Sequence, residues 1–105
     1  MSEDFNRRRK EAESLYADKQ WAEAELIFAA LMAEKESAGI PADGDIIHDH
    51  AVCVFQQGRT KEALQAFDRA VALEPHHAYR YASRAWIKAA MKDVDGAIAD
   101  YKKAL

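Results

Sequence analysis

The sequence predicts an all-α fold in which helical hairpins stack side by side. Three observations predict it. Alanine is abundant, whereas glycine, proline and β-branched residues are scarce, and this composition favours helix over strand. Ala63, Phe67 and Ala70 are four and three residues apart, which places them on one face of a helix. The same small-large-small face recurs 34 residues further on, and a period of that length is typical of a helix-turn-helix repeat.

The small-large-small face occurs three times along the chain. The first occurrence precedes the second by 39 residues, because residues 39–43 add five residues between hairpins. An insertion in a loop between hairpins disturbs a stack least. The three faces, each with a small residue in the preceding helix, are Ala12 with Ala24, Phe28 and Leu31; Ala51 with Ala63, Phe67 and Ala70; and Ala85 with Ala97, Tyr101 and Ala104.

These residues resemble the tetratricopeptide repeat (TPR) family. The middle unit also has the small residue Ala51 in its first helix, the turn glycine Gly58 and the closing proline Pro75. The resemblance implies a right-handed α-α superhelix, a TPR solenoid of three antiparallel helix hairpins with about six helices. It covers almost the whole chain, which is expected to form a single TPR domain over residues 1–105. The expected repeats are approximately 5–38, 44–77 and 78–105, the last without its closing segment.

The two helices of the first hairpin have different apolar patterns. An apolar stripe indicates a helix over residues 4–17, which Ser2 or Glu3 would begin. The next helix, over about 21–37, is apolar around much of its girth, with Leu26 included, so we expect it to be well buried.

Capping residues bound the remaining helices. Asp43 or Asp45 is predicted to begin a helix that ends at Gln57, and Thr60 is predicted to cap the next one. That helix stops before Pro75, which cannot continue it. The remaining boundaries are a turn at His76-His77, a helix from there to Met91, a cap at Asp93 and a last helix from about Val94 onward.

Composition and charge argue against several functional classes. The net charge of −3 provides no basic field, so nucleic acid is not an expected partner. Cys53 is the only cysteine, which rules out an intramolecular disulfide, and we expect it to be a small buried hydrophobe. No apolar run approaches the length that spans a bilayer, so no membrane is expected as a partner. The N-terminus lacks the apolar core of a signal peptide, and the expected compartment is the cytoplasm.

No motif argues for an enzyme, and no catalytic residue or cofactor is predicted. The sequence has no glycine-rich phosphate loop, and no serine or cysteine has a histidine at a spacing that helical geometry would bring close. Asp45, His48 and Asp49 share one helical face and could hold a divalent ion weakly, but no second cluster completes a tetrahedral set. We therefore expect them to be solvated polar groups, with no metal site. His48 and His50 should point to different faces.

The TPR resemblance places the candidate binding residues on the first helix of each hairpin. Aromatic side chains with small residues between them suit an extended or helical peptide with apolar anchors. The alternative is that some aromatics, Tyr16 and Phe55 in particular, pack between adjacent helices instead. The expected residues of the peptide-binding groove are Arg9, Glu13, Tyr16, His48, Asp49, Val52, Phe55, Tyr79, Ser83 and Trp86.

Some three-repeat TPR domains grip the acidic C-terminus of heat-shock chaperones with a carboxylate clamp. The clamp uses Lys and Asn from the first repeat, Asn from the second, and Lys and Arg from the third. The corresponding positions here are Arg9, Glu13, Asp49, Tyr79 and Ser83, and only Arg9 fits. Because Glu13 and Asp49 would repel a carboxylate, we expect no binding of a chaperone tail.

The sequence thus predicts a non-enzymatic module that binds a peptide or helix of a partner protein in a concave groove. Two alternatives stay open, because no polar capping helix follows the last predicted helix. The chain could be the N-terminal part of a longer TPR protein, or two copies could associate. The residues that would form such a homodimer are Ile98, Tyr101 and Leu105.

Overall fold

The computed structural model describes residues 3–105, and over that range the chain forms six helices and no strand. Each helix packs on the next, so packing is dominated by neighbours in sequence, as in a solenoid. The molecule is elongated, with extents of 42 × 27 × 20 Å. The three hairpins are α1 (Glu3–Ala17) with α2 (Trp21–Ser37), α3 (Gly44–Gln56) with α4 (Thr60–Leu73), and α5 (Ala78–Ala90) with α6 (Val94–Ala104).

The predicted start of the first helix can be judged only in part. Of the two residues predicted to begin the first helix, Ser2 lies outside the described residues, and Glu3 belongs to α1.

No helix in the described part of the chain is both long enough and apolar enough to cross a membrane.

The recurring face is confirmed as the core of the stack. The small residues Ala12, Ala51 and Ala85 are completely buried, which lets neighbouring helices approach closely. In the third hairpin Tyr101 is 46% exposed, because no described helix packs on the outer side of α6. In the first two hairpins all six members of the face are buried: Ala24, Phe28, Leu31, Ala63, Phe67 and Ala70.

Two of the three predicted side-chain caps are confirmed. The Asp43 carboxylate accepts hydrogen bonds from two N–H groups in the first turn of α3, at 2.9 and 3.4 Å. Asp93 accepts one from the first turn of α6 at 3.0 Å. The prediction for Thr60 is wrong, because α4 starts one residue earlier than expected. Arg59 occupies the cap position, and its guanidinium, which can only donate hydrogen bonds, cannot cap the helix and pairs with Glu25.

The turn inside each hairpin has the same backbone conformation. The equivalent residues Lys19, Gly58 and Lys92 all have positive φ, at 61°, 87° and 66°. At each turn that residue and the next donate to carbonyls of the preceding helix. Glycine adopts this conformation readily, whereas a lysine there costs about 1–2 kcal/mol. The turn geometry is therefore set by the repeat and not by a glycine.

The second helix is less buried than predicted. Leu26 is 72% exposed, and the buried residues of α2 are Ala24, Phe28 and Leu31. These buried residues are four and three residues apart, so they form one face of α2, and Leu26 lies off that face. The apolar residues around much of α2 predicted burial, but one face of this helix is exposed to solvent in the stack.

A buried arginine joins the second hairpin to the third. Only 2% of the Arg80 side chain is exposed, and its guanidinium donates to Asp45 at 2.5 Å and to Glu74 at 3.0 Å. A Cβ atom added to Gly44 would lie 1.6 Å from Oε1 of Glu74. A larger residue at position 44 would therefore displace the Glu74 carboxylate from its place beside the guanidinium.

Candidate functional site

The first helices of the three hairpins line a groove with two continuous halves. Tyr16, His48 and Tyr79 border both halves. The aromatic half, a depression of about 400 Å³, is lined by Tyr16, Trp21, His48, Val52, Gln56, Phe67, Tyr79, Ala82, Ser83 and Trp86. The charged half, of about 480 Å³, is lined by Arg9, Glu13, Tyr16, Asp45, His48, Asp49, Tyr79 and Arg80.

Nine of the ten groove residues expected from the sequence lie in this lining, and Phe55 does not. The Phe55 ring packs edge-on against Trp86, with ring centroids 4.8 Å apart, so it fills the space between α3 and α5. Tyr16 both lines the groove and packs edge-on against Trp21 at 5.3 Å. The alternative of packing between helices therefore describes Phe55, whereas Trp86 is 43% exposed.

His48 lies at the centre of the groove, and two expectations about it are wrong. It is not a solvated group, because only 7% of the residue is exposed. It also reaches a serine, since His48 Nε2 lies 2.9 Å from the Ser83 hydroxyl and Nδ1 lies 3.2 Å from Asp49. Spacing within one helix could not reveal this contact. Residues about one repeat apart lie side by side on α3 and α5. The separation of 35 residues between His48 and Ser83 was therefore the signal that could have predicted the contact.

The Ser83-His48-Asp49 arrangement has the side-chain contacts of a catalytic triad, but it lacks an oxyanion hole. The Asp49 carboxylate can only accept, so Nδ1 carries a proton, and in the neutral ring Nε2 accepts from the Ser83 hydroxyl. Acyl transfer also needs free N–H donors for an oxyanion. Ser83 lies within α5, whose N–H groups are engaged in the helix. The arrangement is suited to holding α3 against α5.

Asp45, His48 and Asp49 do not converge on a metal site. Among residues 3–105 no group of three His, Cys, Asp or Glu side chains is placed to hold an ion. Asp45 pairs with Arg80, and His48 is engaged by Ser83.

The other predicted features of the histidines and the cysteine are confirmed. His50 points away from His48, with Nε2 3.9 Å from Glu25, and burial lowers the pKa of His50. His76 and His77 lie exposed in the turn between hairpins. Cys53 is completely buried, and burial is the main reason why its pKa rises to about 12.

The arginines of the charged half are already paired. Arg9 contacts Asp43 at 3.0 Å and Glu13 at 3.3 Å, and Arg80 is held by Asp45 and Glu74. Neither cation is left to meet an incoming carboxylate.

Sequence reasoning missed several groove residues for identifiable reasons. Trp21 begins α2, and the register used for the prediction covered first helices only. Phe67 was assigned to the core, yet its ring also reaches the floor of the aromatic half. Nothing in the pattern distinguished Arg80 from an exposed helical arginine.

A further cavity, of about 280 Å³, lies outside the groove, where the inserted residues 39–43 separate the first two hairpins. Its apolar side chains are Met32, Ile40 and Ile46, and charged side chains of both signs surround them. No residue predicted to bind a partner lines this cavity.

Three stacked hairpins with a groove on the side of their first helices define a TPR-type helical solenoid, and solved structures confirm this fold. PcrH of Pseudomonas aeruginosa, in complex with the chaperone binding region of PopB, matches with a TM-score of 0.85 and 21% identity over 99% of this chain and 81% of PcrH. SycD, the type III secretion translocator chaperone of Yersinia enterocolitica, in an alternative dimer, matches with a TM-score of 0.85 and 13% identity over 99% of this chain and 75% of SycD.

The second TPR of Spaghetti (RPAP3), bound to the HSP90 peptide SRMEEVD, matches with a TM-score of 0.80 and 12% identity. The match covers 95% of this chain and 83% of that one. No family model and no curated protein matches the sequence. At these identities the likeness establishes the fold alone.

Proposed function

We propose that this protein is a non-enzymatic interaction module that binds a segment of a partner protein in its groove. The observation that carries the proposal is the exposure of aromatic side chains in a concave surface. Trp86 is 43% exposed and Tyr79 58% exposed, above a floor that includes Val52 and Phe67. Tryptophan and tyrosine in such a position are the residue types that most often dominate the energy of protein association.

Proteins of the same fold support this class of ligand. PcrH binds the chaperone binding region of PopB, and the second TPR of RPAP3 binds a seven-residue HSP90 peptide, SRMEEVD. Each half of the groove has room for a few side chains, which suits one extended or helical segment better than a folded domain. The cytoplasm is the proposed compartment, because the one cysteine is a buried free thiol and no disulfide is required.

The replacement Trp86→Ala should weaken segment binding by at least about tenfold, which is the size of effect expected for an anchor residue. The probe is a peptide selected from a random displayed library on the wild-type protein, and the measurement is its dissociation constant. Stability should change little, since the exposed Trp86 ring contributes mainly an edge contact with Phe55.

The matched control is Leu26→Ala, which removes an exposed apolar side chain from the outer face of α2. It should leave the dissociation constant unchanged. Equal affinity of the wild type and Trp86→Ala would show that the aromatic half is not the binding site.

Self-association through α6 is a second candidate, and one observation favours it. Ile98 and Tyr101 are 47% and 46% exposed, and Leu105 is fully exposed beside them. SycD, which shares the fold, was solved as an alternative dimer. Sedimentation should then show a mass that doubles with concentration and returns to the monomer value in Ile98→Asp/Tyr101→Asp. Monomer at every concentration would eliminate this candidate, and Trp86→Ala serves as the control that leaves the mass unchanged.

A further inference from the structure

We infer that the bound segment carries a lysine or arginine side chain that pairs with Asp49, next to apolar side chains that occupy the aromatic half. This inference rests on the proposed function, because it names the chemistry of the partner at the same groove.

Asp49 is the carboxylate of the groove that lacks a cation. Within residues 3–105 no lysine or arginine forms an ion pair with it, whereas Glu13 is paired with Arg9 and Asp45 with Arg80. In the described part of the chain Asp49 contacts His48, at 3.2 Å, and this histidine is charged only when protonated. The Asp49 side chain is 31% exposed, so an incoming cation can reach it.

Two tyrosines make the same place suitable for a cation. Tyr16 and Tyr79 border both halves of the groove, as does the His48 ring. Burial raises the pKa of Tyr16 to about 12, and the negative charge of Asp49 adds to the rise. An ammonium or guanidinium group at this point would combine an ion pair with cation–π contact to tyrosine rings.

The neighbouring surface defines the rest of the segment. On one side of Asp49 lies the aromatic half, with Val52 and Trp86, which suits leucine- or phenylalanine-sized anchors. Asp49 itself belongs to the charged half, where the arginines are already paired with carboxylates. The preferred charge is thus opposite to that of an acidic tail, and an acidic peptide without a basic residue should be excluded.

To test this inference, peptides are selected from a random displayed library on the wild-type protein, and one that contains a basic residue is chosen. Its dissociation constant is measured with the wild type and with Asp49→Asn. Asparagine has nearly the same shape and retains an oxygen that accepts from His48 Nδ1. Changing the peptide's basic residue to glutamine should weaken binding to the wild type by about tenfold and leave binding to Asp49→Asn almost unchanged, as coupled groups behave in a double-mutant cycle. Fluorescence reports binding directly, because both tryptophans of the chain line the aromatic half.

The matched control is Glu13→Gln, which removes a groove carboxylate that is already paired with Arg9 and should have a much smaller effect. The inference would be overturned if the selected peptides lacked a basic residue. It would also be overturned if the change to glutamine weakened binding equally to the wild type and to Asp49→Asn. Either result would leave the proposed function standing. Micromolar affinity for an acidic peptide that has no lysine or arginine would also overturn the inference. Failure to select any groove-binding peptide would overturn the proposed function and this inference together.

Discussion

The replacement Phe67→Ala is expected to lower the free energy of unfolding by about 3–5 kcal/mol, the range for removing a buried phenylalanine. Phe67 is 1% exposed and lies in the core of the second hairpin with Ala51 and Ala63. Its ring also contacts His48 edge-on, with centroids 5.6 Å apart. Because close-packed cores relax only partly around a lost ring, a cavity would remain between hairpins. Urea unfolding followed by circular dichroism measures the loss.

The chain contains its own control for this prediction. Tyr101 occupies the same register position one repeat later, yet it is 46% exposed. Tyr101→Ala should therefore cost less than about 1 kcal/mol, as is usual for surface substitutions. Similar losses for both variants would contradict the packing described for α6.

The replacement Asp100→Ala is expected to cost about 3–5 kcal/mol, the range for breaking a buried ion pair from one side. Only 4% of the Asp100 side chain is exposed. It accepts two hydrogen bonds of 2.8 Å from Arg84 and one contact of 3.0 Å from Lys88. Its removal would leave two partly buried cations of α5 without their main partner, and α6 would lose its polar attachment to α5.

The matched control for Asp100 is Asp68, which contacts the same Arg84 at 3.1 Å but is 54% exposed. Asp68→Ala should cost less than about 1 kcal/mol, because exposed ion pairs contribute little. Hydrogen exchange of the α6 amides separates the two variants, since faster exchange is expected only in Asp100→Ala. Unchanged protection of α6 would show that Asp100 does not hold this helix.

The same carboxylate makes the protein sensitive to acid. Burial alone would raise the pKa of Asp100, but hydrogen bonds from Arg84 and Lys88 outweigh it and hold the pKa below the ordinary 3.8. The stabilisation is therefore fully present above the ordinary pKa and is lost as the pH falls through the lowered one. The difference in stability between the wild type and Asp100→Ala should shrink over that acidic range.

The local sequence pattern was sufficient to predict helix boundaries and caps that depend on a single helix or turn. The second helix was predicted over 21–37 and is observed at Trp21–Ser37, because apolar periodicity and turn residues act within one segment. Asp43 and Asp93 cap helices as predicted, since a side-chain cap needs only the next few N–H groups. Thr60 does not, because α4 starts one residue earlier than predicted and Thr60 is its first helical residue.

The contacts that shape the groove depended on the stack. Phe55 and Trp86 have similar patterns in sequence, yet one packs between helices and the other stays exposed. His48 is buried because α5 brings Ser83 to it from 35 residues away.

By itself the sequence determined a repeated helical hairpin, since a face of small and large apolar residues recurring every 34 residues can be buried only by stacking copies of one unit. Only the tertiary structure decided which charges cancel. Arg9 and Arg80 pair with carboxylates on neighbouring elements, whereas no lysine or arginine among residues 3–105 pairs with Asp49. Ion pairs form between side chains that packing brings within a few ångströms, whatever their separation along the chain.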